Sequence, residues 1–325
     1  MFRYLGEIMN IFIDPLLFLQ FIREATGGIF DNFFVTCSVY GELFVIVSLI
    51  AIIYWCVSKE LGEYLLVSFG WADWVNGFLK IFACIYRPWI MDSRVHPVKE
   101  ALPGATGYSF PSGHTTHATS FFGGLALKGN FSKALTIVLW VCVLLVGFSR
   151  NYLGVHSVLD VIFGFLCTLA VLVIIKKLFD KLDEYPNLDL IIAAVGIIAS
   201  VLLVVYAMTK SYPMDYDAAG KLIVDPAKLM LDSIQNAGLL CGISISWVVE
   251  RRLINFSVDG SLKDRVLRGL CAFIGFELIV TVLVPWASTG IGRFLSAFIL
   301  GLFIMVIVPF CIKYFQNRKS EIKMR

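Results

Sequence analysis

The chain has 325 residues, of which 58% are hydrophobic and 16% are charged, and its formal net charge is +3. Soluble globular proteins carry about 25% charged residues, so the composition argues against a large soluble helical protein. The net charge says little about partners, and no basic tract is dense enough to bind nucleic acid.

Long apolar segments recur along the chain, and about 20 such residues are enough to cross a bilayer. Near the N-terminus, Asp14-Pro15 interrupts residues 8–23, which favours a short interfacial helix over a signal peptide. We predict an all-α polytopic membrane protein with about nine transmembrane helices, and we place them at residues 37–57, 62–86, 114–128, 132–149, 155–175, 188–208, 233–249, 267–287 and 291–314.

The distribution of lysine and arginine predicts an orientation. Nine spans put the two termini on opposite sides, and an extracytoplasmic N-terminus leaves most of the basic residues on the cytoplasmic side. The C-terminus is then cytoplasmic, and the irregular stretch 87–113 and the turn 150–154 lie at the extracytoplasmic face.

A first cluster of polar residues closes the second predicted span. Lys80 and Arg87 are two helical turns apart and are expected to share a helix face, with Pro88 ending the helix just after Arg87. Asp73 and Asn76 lie on the same predicted face and are expected to anchor Lys80. Two cations at this depth indicate an anion site, although such residues alone often only reach towards the interface.

A second cluster is Pro111-Ser112-Gly113-His114. The sequence indicates a turn that leads into a helix beginning near His114, where free backbone N–H groups bind anions. Gly113 allows close approach of the backbone, and Ser112 offers a hydroxyl donor. We interpret these residues as a phosphate cradle with His114 beside it.

A third cluster runs from Ser149-Arg150 to His156 and Asp160. His156 and Asp160 are four residues apart, which predicts that they meet on one helix. A carboxylate on one ring nitrogen leaves the other free to attack an electrophile. Arg150 can bind phosphate oxygens with two N–H groups at once.

Together the clusters predict a mechanism without a metal or other cofactor. Lys80, Arg87, Arg150 and the Ser112–Gly113 backbone hold a phosphoryl group. His156 attacks phosphorus, and His114 first donates a proton to the leaving oxygen and then activates water. A zinc site on His114 and His117 lacks further ligands in the sequence.

In these residues the chain resembles the type 2 phosphatidic acid phosphatase superfamily, whose motifs K-x6-RP, PSGH and SR-x5-H-x3-D are all intact here. The resemblance implies the same roles for Lys80, Arg87, Ser112, Gly113, His114, Arg150, His156 and Asp160. It covers about residues 35–180 and implies a helical-bundle phosphatase core. The predicted domains are an N-terminal interfacial segment at 1–34, this core, and a C-terminal transmembrane extension at 181–325.

The nine-span layout is similar to that of glucose-6-phosphatase, which leaves the substrate open. The leading expectation is hydrolysis of a phosphomonoester or diphosphate, of a lipid rather than a sugar, with membrane lipids as partners. The alternatives are a sugar-phosphate phosphatase and a phosphotransferase that passes the phosphoryl group to a lipid acceptor. A third alternative is a transporter that retains an inactive phosphatase site. Transporters often contain inverted repeats, and none is visible in this sequence. The sequence gives no indication of oligomeric state.

Overall fold

The computed structural model describes residues 2–217 and 219–324, with side chains described for 12–217, 219–283, 285 and 287–318. Regular structure in these residues is helical, apart from an isolated antiparallel bridge between Tyr216 and Leu222. The α-helices are α1 (Phe2–Ala25), α2 (Asp31–Val39), α3 (Leu43–Cys56), α4 (Lys59–Ala83), α5 (Pro88–Met91), α6 (Gly113–Ala118), α7 (Gly124–Lys128), α8 (Lys133–Tyr152), α9 (Val158–Phe179), α10 (Leu188–Thr209), α11 (Pro226–Val249), α12 (Leu262–Leu283), α13 (Gly290–Leu302) and α14 (Val308–Met324).

Short helical turns of other types join or extend several of these helices. The π-helical turns are Thr119–Gly123, Glu250–Ile254 and Phe303–Ile307, and the 3₁₀ turns are Lys99–Ala101 and Val284–Ser288. The first π turn joins α6 to α7, so residues 113–128 form one continuous helical segment, as predicted for the third span.

Five helical segments of the described residues are long and apolar enough to cross a membrane: Lys133–Tyr152, Val158–Phe179, Leu188–Thr209, Leu262–Leu283 and Gly290–Arg318. A sixth is possible if α2 and α3, which are bent by 50° where they meet, count as one span. A membrane-embedded helical protein is therefore confirmed, whereas the count of nine spans stays a prediction.

The exposed faces of these helices are apolar, as contact with lipid requires. On α8, Ile137 and Leu144 are 63% and 65% exposed, whereas Val143 and Val146 are buried. On α10, Leu202 is 61% exposed and Leu203 is buried. A water-soluble protein rarely shows such large contiguous apolar surfaces.

By its contacts the chain divides into two compact units. The first contains the chain up to Ile46, Val75–Leu172 and Lys210–Met230. Within it, α8 packs against α1, α2 and α6, and a small apolar core lies at the turn that follows α8. That core consists of Val98, Ala101, Ala105, Tyr152, Leu153 and Val155.

The second unit contains Val47–Trp74, Val173–Thr209 and the chain from Leu231 onwards. Buried charges in it are paired: Lys59 lies 2.8 Å from a carboxylate oxygen of Glu250, and Glu63 accepts hydrogen bonds from Trp247 and Arg251. Pairing of this kind is what allows carboxylates to be buried at all.

Candidate active site

The Lys80–Arg87 segment is not one continuous helix. Helix α4 ends at Ala83, Cys84 has a left-handed φ of 50°, and Arg87 has the extended conformation that a following proline favours. The prediction that Lys80 and Arg87 share a helix face is therefore wrong. The chain instead leaves the helix, and Arg87 approaches the site from the loop.

Four backbone carbonyl groups of one loop hold the two cations. The Arg87 guanidinium donates to the carbonyl oxygens of Thr106 and Gly107 at 2.9 and 3.1 Å. The Lys80 ammonium donates to those of Tyr108 and Pro111, both at 3.1 Å. Residues 106–112, which we call the site loop, therefore fix the positions of both cations.

Asn76 donates a hydrogen bond to this loop and is connected to Lys80 only through it. Its side-chain amide donates to the Pro111 carbonyl at 3.4 Å and to the Thr116 hydroxyl at 3.0 Å. The Pro111 carbonyl is also an acceptor for Lys80. Asn76 and Lys80 therefore share an acceptor, in place of the direct anchoring expected from their helical spacing.

The Ser112–Gly113 turn has the expected form of a helix start. Ser112 is the N-cap of α6, and its hydroxyl oxygen accepts from the Thr115 hydroxyl at 2.9 Å. Its backbone N–H donates to the Asp160 carbonyl at 3.0 Å. A Cβ added to Gly113 would meet nothing closer than Asn76 at 3.9 Å. The space beside Gly113 is therefore open, while the N–H groups of Ser112 and Thr115 already have acceptors in Asp160 and Ser112.

Arg150 is buried in the last turn of α8, with 1% of its surface exposed. One terminal nitrogen donates to the Ser38 hydroxyl. Its Nε and the other terminal nitrogen have no acceptor among the described residues. Leaving charged donors unmatched in a buried position is costly, and an anion bound here would satisfy both nitrogens.

The turn between α8 and α9 positions His156 close to Arg150. Gly154 has a positive φ of 72°, and the N–H groups of Val155 and His156 both donate to the Arg150 carbonyl. The Asn151 side chain donates to the His156 carbonyl at 2.9 Å. This turn accounts for the spacing between Arg150 and His156, since a left-handed residue is needed to fold the chain back.

The contact with Arg87 defines the tautomer of His156. An Arg87 terminal nitrogen lies 2.8 Å from Nε2 of the ring. A guanidinium can only donate, so Nε2 carries a lone pair and the proton is on Nδ1. Burial, and then the charges of Arg87, Arg150 and Lys80, hold the pKa of His156 well below its usual value. Burial lowers the pKa of Arg87 to about 10, so it remains charged at neutral pH.

Asp160 belongs to the first turn of α9, but His156 precedes that helix, which begins at Val158. The expectation of a shared helix is therefore wrong. The hydroxyl of Ser157 accepts from the Asp160 N–H at 3.2 Å, and the Asp160 carboxylate accepts from the Ser157 N–H at 2.7 Å. This reciprocal pair of hydrogen bonds caps the start of α9. Asp160 Oδ2 lies 3.6 Å from His156 Nδ1.

His114 lies at the edge of the cluster and is partly exposed. A Cβ on Gly104 would lie 3.7 Å from its ring, and its ring makes no hydrogen bond with the described part of the protein. Arg150, His156 and Arg87 are all within electrostatic range of it. His114 is therefore close to the other site residues, and no hydrogen bond to the described protein fixes its ring.

The other two histidines lie in structural contacts. His117 Nδ1 is 2.9 Å from the Gly41 carbonyl. The backbone N–H of His96 donates to the Gln20 side chain, and its ring also contacts that side chain at 3.1 Å. Both contacts lie within the first unit and connect helix α1 and the turn between α2 and α3 to the elements around the site.

Comparison with known proteins places this geometry in a family. Residues 62–184 match the PAP2 superfamily, and residues 234–319 match the transmembrane extension of PAP2 superfamily phosphatases. An undecaprenyl-diphosphatase of Sulfolobus acidocaldarius is 31% identical over 165 residues, which cover 50% of this chain and 77% of that protein. The chain belongs to the PAP2 superfamily. The predicted family is thereby confirmed.

Two further PAP2 relatives share shorter parts of their length with this chain. Phosphatidylglycerophosphatase B of Bacillus subtilis is 32% identical over 38% of this chain and 61% of the relative. Lipid phosphate phosphatase delta of Arabidopsis thaliana is 24% identical over 50% of this chain and 42% of the relative. The chain thus spans less than two thirds of either relative. No solved structure matches it.

Segment 209–232 of this PAP2 protein also contacts the elements around the site. The Tyr86 hydroxyl donates to the Asp215 carboxylate, and Lys210 donates to the Phe82 carbonyl at 3.2 Å. A Cβ on Gly107 would lie 2.5 Å from the Leu229 side chain. Since Gly107 holds Arg87, this segment supports the site loop from outside.

Sequence reasoning missed two serines at the PAP2 site. Ser38 contacts Arg150, and the Ser109 hydroxyl donates to Asp160 Oδ2 at 2.6 Å. Ser38 is 112 positions from Arg150, and no local spacing signals such a contact. Ser109 lies three residues before Ser112, so an isolated serine beside the Pro111 turn was the available signal. Among the described residues, no group of three His, Cys, Asp or Glu side chains is placed to hold a metal ion.

Proposed function

We propose that this protein is an integral membrane phosphatase that hydrolyses a phosphomonoester or diphosphate of a lipid through a phosphohistidine on His156. The observation that carries the proposal is the pair of buried guanidiniums around the lone pair of His156. Arg87 donates to Nε2 of the ring, and Arg150 has two unmatched nitrogen donors. A nucleophile surrounded by positive charge suits the attack on a phosphate dianion.

In the proposed first step, the Arg87 N–H that occupies the Nε2 lone pair turns to a phosphoryl oxygen of the bound substrate, His156 Nε2 attacks phosphorus, and the bond from phosphorus to the leaving oxygen breaks. His114, in its protonated form, donates to that oxygen. Arg87, Arg150, Lys80, the Ser112 hydroxyl and the Gly113 backbone N–H stabilise the charge on the three equatorial oxygens. In the second step, His114 removes a proton from water, water attacks phosphorus, and the phosphorus–nitrogen bond breaks.

A lipid substrate is supported by the relatives and by the apolar surface of the protein. The relatives are named for undecaprenyl diphosphate, phosphatidylglycerophosphate and lipid phosphate. In the loop 87–113, Leu102 is 37% exposed, and the Phe110 ring contacts that of Phe163 in a tilted arrangement with 5.2 Å between centroids; Phe163 is 44% exposed. We propose that such side chains contact the lipid tails. Tyr108 is buried and takes no part in this contact.

The proposed arrangement in the membrane is that of the sequence-based prediction. It has nine spans, an extracytoplasmic N-terminus, a cytoplasmic C-terminus and a site at the extracytoplasmic face, with domain limits near residues 34 and 180. We also propose that no metal is needed, because Lys80, Arg87 and Arg150 already supply the positive charge that a divalent cation provides elsewhere.

A second candidate substrate is a water-soluble sugar phosphate. The contacts of Tyr86 with Asp215 and of Gly107 with Leu229 bring segment 209–232 beside the site loop, where a polar segment could enclose a soluble substrate. Transfer of the phosphoryl group to a lipid hydroxyl in place of water is a third outcome that the same residues allow.

The test is a comparison of specificity constants for the full-length protein in one detergent. Phosphatidate, phosphatidylglycerol phosphate and undecaprenyl diphosphate are compared with glucose 6-phosphate, and free phosphate is quantified. We expect a lipid to lead by at least tenfold, which is about 1.4 kcal/mol of transition-state binding. A tenfold lead for glucose 6-phosphate would replace the lipid proposal. Consumption of substrate without release of phosphate, in the presence of a lipid alcohol, would indicate a phosphotransferase.

A further inference from the structure

The contact between His156 and Asp160 is not direct. The ring nitrogen Nδ1 and the nearer carboxylate oxygen of Asp160 are 3.6 Å apart, which is longer than a hydrogen bond between such atoms. The Ser109 hydroxyl lies beside both atoms, 3.3 Å from Nδ1 and 2.6 Å from the carboxylate oxygen. All three side chains are buried, so no bulk water competes for these positions.

The chemistry of the three groups decides which of His156, Ser109 and Asp160 donates and which accepts each hydrogen bond. Asp160 has a carboxylate, which accepts the Ser109 proton. The Ser109 oxygen then has lone pairs left for the Nδ1–H of His156. That proton is on Nδ1 because Arg87 donates to Nε2. The directions Nδ1–H···Oγ–H···Oδ2 are therefore mutually consistent, and the Ser109 backbone also hydrogen-bonds to the His156 ring.

We infer that Ser109 is a positioning residue, whose hydroxyl connects His156 to Asp160 and thereby holds the ring with its Nε2 lone pair towards the phosphoryl group. This inference rests on the proposed function. It adds a third member to the pair that the sequence motif contains. The site loop fixes Ser109 in place, because its backbone N–H donates to the Ile85 carbonyl at 2.7 Å. When His156 carries the phosphoryl group, the ring is cationic, and the same chain offers its Nδ1–H an acceptor.

The predicted effect of Ser109→Ala is a loss in the transition state rather than in substrate binding. We expect kcat to fall about 10- to 100-fold, as for loss of a buried hydrogen bond, with KM changed less than threefold. Vanadate, which resembles the transferring phosphoryl group, should bind more weakly by the same factor as kcat/KM falls. A phosphonate analogue of the substrate, which resembles the ground state, should keep its inhibition constant.

Two further variants make the test decisive. Ser109→Cys keeps the size of the side chain but offers a weaker donor, so we expect at least a tenfold loss of kcat in it as well. Ser120→Ala is the matched control: Ser120 is a buried serine whose hydroxyl donates within its own helix, to the Thr116 carbonyl at 2.9 Å. We expect Ser120→Ala to retain wild-type kcat.

The outcomes separate this inference from the proposed function. Wild-type kcat in both Ser109 variants would overturn the inference, and so would equal losses in binding of vanadate and of the phosphonate, which indicate a general distortion of the site. The proposed function is tested with the wild type and with His156→Ala. It fails if the wild type releases no phosphate from any lipid, or if His156→Ala retains turnover.

Discussion

Replacement of Arg150 tests the role of its unmatched donors. In the structure this guanidinium is buried, is fixed through one nitrogen by Ser38, and has two nitrogens without an acceptor in the described chain. Arg150→Lys keeps the positive charge but removes the forked geometry. Arg150→Met keeps most of the apolar contacts and removes the charge.

The magnitude follows from the number of hydrogen bonds lost. A hydrogen bond to a charged group contributes about 1.5–3 kcal/mol, so two of them to phosphoryl oxygens contribute about 3–6 kcal/mol. Arg150→Lys recovers part of the electrostatic term, which leaves a loss of about 3 kcal/mol, or about a hundredfold in kcat/KM. Arg150→Met should lose about tenfold more.

Stability should change in the opposite direction. An unmatched buried charge costs free energy, so we expect Arg150→Met without ligand to have a Tm no lower than that of the wild type. Vanadate binds the folded state and should raise the Tm of the wild type, but not that of Arg150→Met.

The assay combines kcat/KM on the best lipid substrate with a Tm measured in detergent, with and without vanadate. Ser38→Ala is the matched control, because it removes the anchor of Arg150 but leaves the donors, and it should lose less activity than Arg150→Lys. The reasoning is refuted if Arg150→Lys stays within threefold of the wild type, or if vanadate stabilises Arg150→Met as much as the wild type.

The remaining predictions concern the turn before His156, the protonation of that residue and the role of metals. Gly154 has φ of 72°, and an added Cβ would lie 3.2 Å from the Pro97 Cα. Gly154→Ala should therefore lower the free energy of unfolding by about 1–2 kcal/mol. An unchanged Tm would contradict this. Burial and nearby cations lower the pKa of His156 in the folded protein. Below about pH 6.5, the unfolded chain therefore binds more protons at this residue than the folded protein does, and the free energy of unfolding falls as pH falls. His156→Asn should show a smaller fall, and an equal slope for both proteins would disprove the linkage. Activity should survive EDTA; its loss on chelation, with recovery on added zinc or magnesium, would show that the cationic side chains are insufficient.

The sequence predicted which residues to examine better than it predicted their local structure. The three motifs named Lys80, Arg87, Arg150 and His156, and in the structure Arg87 contacts His156 while Arg150 lies close by. Their order along the chain was enough for this, because each motif ends or begins a predicted helix. The helical positions of Arg87 and His156 were wrong, since periodicity alone does not reveal a left-handed residue at 84 or a serine cap at 157.

Contacts between residues that are far apart in the sequence could not be predicted from the sequence. The carbonyls of the site loop that hold Lys80 and Arg87 are backbone groups and leave no trace in residue type. The contact of Asp215 with Tyr86 joins positions 129 residues apart. Such contacts are set by the packing of helices, and neither hydropathy nor motif spacing encodes them locally.

The most direct test of the account is to trap the covalent intermediate. The wild type, His156→Ala and His114→Ala are mixed with substrate labelled on the transferred phosphoryl group and quenched within milliseconds, and the labelled residue is identified by peptide mapping. We predict an acid-labile, base-stable phosphoryl group on His156 in the wild type and none in His156→Ala. In His114→Ala, with a good leaving group, the label should persist longer, because water is no longer activated. Normal turnover by His156→Ala, or a label on any other residue, would contradict the central claim that His156 is the nucleophile.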